Sequence, residues 1–420
     1  METKLIYGIE SSLNKFISWL NRFDETSFDH QSYYAGPFGR RAKALYYSKP
    51  HLGILAVSPM VLSEALLPGA RKLFWKKQRF PIADAHYAMG FGYLYQVWGD
   101  TSHYQRAIHF LEVLIENRCL GFDNFCWGYP FDWVTRNGTI RAGTPLITTT
   151  PYVYEAFALV HEIDHEPRWL EIMRSIAEHA VYDIKDFPYG SKGRTCAYTP
   201  YDGSGGVANA SAYRAFLLTK ASVDFSETSY WELAEKNLNF VLETQRDDGS
   251  WPYAVDEVRD FVDHFHTCFV LKALAKIERL TGHDGCERAI QRGVDYYVKN
   301  LFDKDGLPKP FSRAPRLTVY RNELYDYAEC LNLGVLLRGR FAELDHRVDH
   351  VMADLLTRWQ KPDGSFRSRR LFLGWDNVPM HRWAQSQIFR SLCFFLREAK
   401  FRWPNSNNQL AETPKQKSSS

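Results

Sequence analysis

Apolar residues recur at three-and-four spacing along six stretches of the chain: Ser11–Phe23, Ser102–Arg118, Arg168–Tyr182, Ser229–Gln245, Glu287–Leu301 and Asp345–Gln360. That period predicts amphipathic helices, each with one buried face. A second series runs between them, apolar on nearly every side: Ala83–Val97, Pro151–Ile163, Ala208–Thr219, Phe265–Ile277, Tyr325–Leu337 and Ala384–Leu396. Helices of that kind are buried all round. From the second amphipathic stretch onward, successive starts lie 66, 61, 58 and 58 residues apart, so the pattern is a repeat. Local signals support individual helices: Ser229 with Glu232 forms a capping-box pattern, and Thr150 before Pro151 fits an N-cap followed by proline.

Each outer helix leads through a loop rich in glycine and aromatic residues into the next inner helix. These loops are Gly121-Phe122 through Trp133, Tyr189-Gly190 through Asp202, Gly249-Ser250-Trp251-Pro252-Tyr253, Asp305-Gly306-Leu307-Pro308 and Gly364-Ser365-Phe366. Six polar-faced helices can bury six apolar ones only as an inner ring, which predicts an all-α (α/α)6 toroid of inner and outer rings; the alternative is an open helical array. The reading is one domain over residues 1–403 and a polar, disordered tail over 404–420. In a ring the long loops all open on one end, so an aromatic-lined funnel floored by inner-helix N-termini is the expected ligand site.

Composition narrows the function classes. Apolar residues are 45% and charged residues 24% of 420, which excludes global disorder. The net charge of +3 has its signs interspersed, so no basic stripe is expected for nucleic acid or for an acidic membrane. Seven scattered cysteines without a C-x-x-C pair argue against a disulfide framework or a zinc ribbon. The N-terminal stretch has no uninterrupted apolar leader and no stretch reaches eighteen apolar residues, so the expectation is a cytoplasmic protein without a transmembrane segment.

The Gly249-Ser250-Trp251-Pro252 and Gly364-Ser365-Phe366 turns resemble the repeat signature of the six-hairpin toroid superfamilies. These comprise terpenoid cyclases and protein prenyltransferases on one side, and glycoside hydrolases, uronate lyases and sugar epimerases on the other. Trp127-Gly128-Tyr129-Pro130-Phe131-Asp132-Trp133, Thr144-Pro145 with Thr150-Pro151, and Tyr198-Thr199-Pro200-Tyr201-Asp202 with Asn209-Ala210-Ser211 are similar to toroid proteins of bacterial surface-polysaccharide synthesis. That resemblance spans most of residues 40–400. It implies a saccharide or glycoconjugate substrate and glycosyltransferase partners, and no particular reaction. The isoprenoid branch lacks its residues here, with no D-x-D-D and no Asp/Cys/His zinc trio.

Candidate chemistry lies in the loops. Trp127, Tyr129 and Trp133 offer flat faces for a sugar, with Asp132 and Arg136 among them to hold hydroxyls or a sugar acid. Tyr198, Asp202 and Asn209 follow in the next loop, and Asp132 with Asp202 is the best carboxyl pair for glycoside hydrolysis. Trp251, Tyr253 and Asp256 precede Asp263-His264-Phe265-His266, while Trp375, Asp376, His381, Arg382 and Trp383 stand at the sixth inner helix. His264 and His381 are therefore the candidate acid–base pair for epimerisation. Their placement resembles the N-acylglucosamine 2-epimerase toroids, with Thr267 where that family carries a glutamate. Tyr325 or Tyr327 is a candidate lyase acid, and Arg321 with Asn322 could neutralise a uronate. His161-Glu162-Ile163-Asp164-His165 spells a zinc-protease motif but falls at a turn before Pro167, so no metal is expected. No cofactor is expected either. Three readings stay open: a saccharide-acting enzyme (hydrolysis, uronate elimination or epimerisation), a non-catalytic glycan-binding or assembly protein, and an isoprenoid-handling toroid.

Overall fold

The structure is a computed structural model and describes residues 2–401; the tail expected over 404–420 lies outside the described residues. Helix α1 (Glu2–Leu20) is the first outer helix. An insertion follows, α2 (Ser32–Ala35), α3 (Pro37–Ser48) and α4 (Pro50–Leu66), before the first inner helix α5 (Pro81–Trp98). Outer and inner helices then alternate: α6 (Thr101–Glu116) and α7 (Thr150–Asp164), α8 (Pro167–Glu178) and α9 (Ala208–Phe225), α10 (Thr228–Glu243) and α11 (His264–Thr281). Two more pairs complete the series, α12 (Asp284–Asn300) with α13 (Leu324–Leu337) and α14 (Ala342–Asp354) with α15 (Ser386–Phe401). The inner helices are buried nearly throughout, while the outer ones bury one face.

The repeating loop shows how the ring is assembled. After α10, Gln245 donates to the carbonyls of Gly249 and Ala289, both at 3.0 Å, tying the loop to the next outer helix, α12. After α14, Gln360 donates to Gly364 at 3.0 Å and to Ser12 of α1 at 2.9 Å. The last unit thus docks on the first helix as the fourth docks on the fifth, which closes the circle. Gly249 and Gly364 are required in this role. Both have positive φ (92° and 97°), and a Cβ would fall 2.2 Å from Arg292 O and 2.2 Å from Lys15 O respectively. On the inner side, α5 meets α15 at Gly90, where a Cβ would lie 2.5 Å from the Phe389 ring.

Four small antiparallel sheets stiffen the loop end. Strands β1 (Trp133–Thr135) and β2 (Gly138–Ile140) form one ribbon, and β3 (Asp186–Tyr189) and β4 (Gly193–Cys196) another. Consecutive loops are stitched together by β5 (Val262–Asp263) with β6 (Phe311–Arg313), and by β7 (Tyr320–Glu323), β8 (Arg369–Leu371) and β9 (Trp375–Asp376).

Some sequence expectations are corrected. The capping box at Ser229 does not form: α10 starts at Thr228, and the Ser229 hydroxyl donates to Glu227 instead. Thr150 is the first residue of α7 and returns its hydroxyl to Leu146 O at 3.1 Å, so Thr149 is the N-cap. Helix α7 ends at Asp164, with His165 at φ 57°, so the second histidine of H-E-x-x-H lies off the helix. The largest difference is at the loop end, where an open funnel is expected and the insertion covers the rim. Four ion pairs fasten it: Asp29 to Arg382, Arg40 to Asp132, Glu64 to Arg369 and Arg71 to Asp376.

Candidate functional site

The loop after each outer helix carries the rings, and the first turn of each inner helix carries the polar groups; they converge under the insertion, and the partly accessible rings there mark the candidate hollow. Tyr129 and Trp133 from the second loop, Tyr198 from the third, Tyr253 from the fourth and Trp383 beside α15 line it, each partly accessible. Trp133 lies 5.6 Å from the Tyr129 ring and 6.2 Å from the Tyr198 ring. The Arg382 guanidinium sits 4.6 Å over Tyr129 and 4.8 Å over Trp383. Asp29 holds it through Nε at 3.0 Å and Nη2 at 2.6 Å. Burial would raise the Asp29 carboxyl, yet Arg382 and His30 hold it down at about 2.

The His266 imidazole reaches this hollow. Asp263 caps α11 by accepting from the His266 backbone N–H at 3.0 Å, and its other oxygen takes the Nδ1 proton of the same residue at 2.6 Å. A carboxylate on Nδ1 fixes the tautomer and leaves Nε2 as the basic nitrogen. The ring faces Tyr253 at 4.7 Å and Phe265 at 4.3 Å. Tyr325, from the next inner helix, packs on the same Phe265 at 5.1 Å and on Trp383 at 4.6 Å. Burial, then the nearby charges of Glu329, Tyr152 and Tyr129, push its phenol well above the usual range, so it stays protonated. Trp383 Nε1, buried beside it, has no hydrogen-bond partner, and neither do His30 Nδ1, whose ring lies 4.9 Å from that of Trp383, and Asn209 Oδ1 at the start of α9.

Below the hollow the ring axis is filled by polar side chains. Lys272 is paired with Glu329 and reaches the Tyr152 hydroxyl at 3.3 Å, which bonds Tyr213 at 2.6 Å. Arg390 lies 5.1 Å over Tyr152, and His86 meets the same ring edge-on at 4.6 Å with neither nitrogen bonded. One turn deeper, Lys276 pairs with Glu155 at 2.5 Å. Sequence reasoning missed this axial network; its signal is the charge inside otherwise apolar helices.

Of the residues singled out from sequence, the structure brings Tyr129, Tyr198, Tyr253, Tyr325 and Arg382 together. His264 and His381 point away from the axis. His264 donates from Nδ1 to Leu301 O at 3.1 Å and accepts from Tyr297 at 2.7 Å. His381 donates from Nε2 to Asp24 O at 2.7 Å and accepts from Tyr87 at 2.6 Å. Burial drives both down, to about 3 and about 4, so at neutral pH each is an uncharged structural strut. Asp202 spends its oxygens on its own loop, accepting from Tyr198 N and Thr199 N at 3.0 Å and from the Thr199 hydroxyl at 2.8 Å. Asp132 stands at the rim between Arg40, Arg141 and the Ala142 N–H, and these outweigh burial and lower its pKa. Trp127 and Trp251 are wedges between hairpins, donating to Leu114 O at 2.7 Å and Val241 O at 2.9 Å. Trp375 packs on Trp359 at 5.0 Å. Arg136 and Arg321 are exposed at the rim, and Tyr327 faces outward to Asp354 at 2.8 Å.

No protein-family model matches the sequence, and no curated protein matches it. Solved structures do. The cellobiose 2-epimerase of Bacillus thermoamylovorans is similar over 76% of this chain and 88% of its own, at 10% identity and a TM-score of 0.60. An α-1,6-mannanase from Salegentibacter matches over 77% and 90%, at 13% identity and 0.56. A D-mannose isomerase matches over 77% and 87%, at 11% identity and 0.56. Likeness at such low identity concerns architecture, and on it the chain has the (α/α)6 toroid fold.

Proposed function

We propose that this chain binds a saccharide in the hollow and moves a proton at one of its carbons, with His266 as base and Tyr325 as acid. The observation that carries the reading is the Asp263–His266 pair, its Nε2 left without a protein partner, on the same Phe265 surface as a phenol that stays protonated. His266 Nε2 takes the proton from a carbon next to a carbonyl or carboxylate. In elimination, Tyr325 gives its proton to the departing glycosidic oxygen as the C=C bond forms; in epimerisation, the carbon regains a proton on its other face. The rings of Tyr129, Trp133 and Tyr253 supply stacking faces for a pyranose, and the Arg382–Asp29 pair holds Tyr129 and Trp383 in place behind them. Hydrolysis by two carboxyls is disfavoured because Asp132 and Asp202 are held in ion pairs and loop bonds. The fold is shared with an epimerase, an isomerase and a polysaccharide lyase, and equally with an α-1,6-mannanase, so it accommodates the reading without selecting it. Its setting, on the Trp127–Trp133 and Tyr198–Asp202 motifs, is surface-polysaccharide metabolism in the cytoplasm alongside glycosyltransferases.

The test is incubation of the protein with uronate-containing and neutral oligosaccharides in deuterated water, followed by NMR. Deuterium entering a sugar carbon without cleavage marks epimerisation, and a new unsaturated proton signal marks elimination. His266→Asn and Tyr325→Phe should abolish the signal while calorimetry still detects sugar binding. A new reducing end without an unsaturated sugar, or undiminished turnover in His266→Asn, would overturn the assignment.

A further inference from the structure

The insertion has an outer surface unlike that of the ring. Helix α4 turns Gly53 and Met60 inward, and at Gly53 it crosses α3 so closely that a Cβ would fall 2.1 Å from Tyr46 Cα. On the opposite side Leu52, Leu55, Pro59, Leu62 and Leu66 follow at alternating steps of three and four and so form a single stripe. All five are exposed, Leu55 at 71%. A solvent-facing helix surface is ordinarily polar; α14, for comparison, exposes Glu343, His346, Asp349 and His350. Ile54, Leu67 and Leu73, the last at 79%, widen the apolar area. A continuous patch of this kind marks an interaction surface.

Charge identifies the partner. Residues 30–80 hold nine lysines and arginines against one acid, Glu64, in a chain whose total is +3. Glu64 is already spent on Arg369. Arg41, Lys49, Lys72, Lys76 and Lys77 are exposed around the leucines. Leucine with a basic surround is the composition of a helix that lies in a membrane interface, its apolar face at the acyl boundary and its cations on anionic headgroups. A second copy of this chain is disfavoured, because a two-fold contact would set one basic surface against an identical one. Among the described residues no helix is long and apolar enough to cross a bilayer.

We propose that α4 and its basic flanks seat this protein on an anionic lipid surface, with the Leu52–Leu66 stripe in the headgroup boundary. The proposal is independent of the chemistry assigned to His266. It places the cover of the hollow, and so the hollow's mouth, against the bilayer.

The full chain is co-sedimented with phosphatidylcholine vesicles, with and without phosphatidylglycerol. Binding should be at least about tenfold tighter with the anionic lipid and should weaken with salt. The double variant Leu55→Glu/Leu62→Glu should lose at least about tenfold in partitioning. Each of Lys72→Glu, Lys76→Glu and Lys77→Glu should lose about fivefold or more. Val223→Glu, an exposed position at the far end of the ring, should change nothing. The leucine, Lys72, Lys76 and Val223 variants should keep the thermal midpoint, since these side chains are in solvent; Lys77→Glu should lower it slightly, because Lys77 pairs with Asp24 and lies over the Phe23 ring. Absence of binding to anionic vesicles, or binding indifferent to the leucine substitutions, would overturn the proposal. So would a dimer in solution that Leu55→Glu/Leu62→Glu converts to monomer.

Discussion

Glu329→Gln is the substitution that tests the axial network most directly. Glu329 is fully buried on α13, paired with Lys272 of α11 and within the field of Arg390. Burial lowers the Lys272 ammonium to about 8 even with the carboxylate beside it. Glutamine keeps the volume and removes the charge, so two cations are left facing each other in the core. Breaking a buried pair from one side costs about 3–5 kcal/mol. An independent ceiling follows from linkage: Lys272 can escape by shedding its proton, and holding a lysine neutral at pH 7 costs about 4.6 kcal/mol relative to its usual pKa. Lys272→Met should cost less than Glu329→Gln, because Arg390 still faces the carboxylate. The double variant should recover part of the Glu329→Gln loss, since Lys272 no longer faces Arg390, while Arg390 keeps only the charge of Glu155 nearby. Urea unfolding followed by tryptophan fluorescence gives all four values of the cycle. Additive single losses, or a Glu329→Gln cost below about 1 kcal/mol, would refute the claim that this pair is electrostatically coupled.

Three further outcomes are expected. His264 is neutral in the fold down to about 3, while in the unfolded chain it titrates near 6.5, so only the unfolded state gains a proton as pH falls between those values. Stability therefore drops on acidification, and His264→Gln should flatten that slope by about 1.4 kcal/mol per pH unit between pH 6 and 4, read from urea midpoints. Trp127→Phe strands the buried Leu114 O and should cost ~1–3 kcal/mol in the same assay, whereas Trp251→Phe should cost less because Val241 O still accepts from the Thr244 hydroxyl at 3.1 Å; equal losses would deny that the stranded carbonyl sets the cost. Asp132→Asn should cost only about 1 kcal/mol globally because its partners are partly solvated. Hydrogen exchange should nevertheless speed up in α3 and α4, with α9–α12 unaffected.

The ring was legible because a repeat of buried and half-buried helices leaves a period that survives any local irregularity. The insertion was not, since α4 is apolar on its solvent face as well as its buried one and carries neither the amphipathic nor the inner-helix position of the repeat. Among the site residues, aromatic loop positions such as Tyr129 and Tyr253 were found because glycine-rich loops at one end of a ring have to converge. The choice of His264 over His266 failed for a reason of helix phase. His264 and His266, with Phe265 between them, sit about 200° apart on a helix, so only one can face the axis. The phase was readable further along α11, from charges that an inner helix cannot bury without partners. Stepping back from Lys276 and Lys272 by four and three residues leads to Phe269 and then His266, whereas the steps from His264 run through Cys268, Leu271 and Ala275, all buried apolar positions. Lysines paired across the axis with Glu155 and Glu329 thus orient the whole helix, and with it the one imidazole that Asp263 can hold at the hollow.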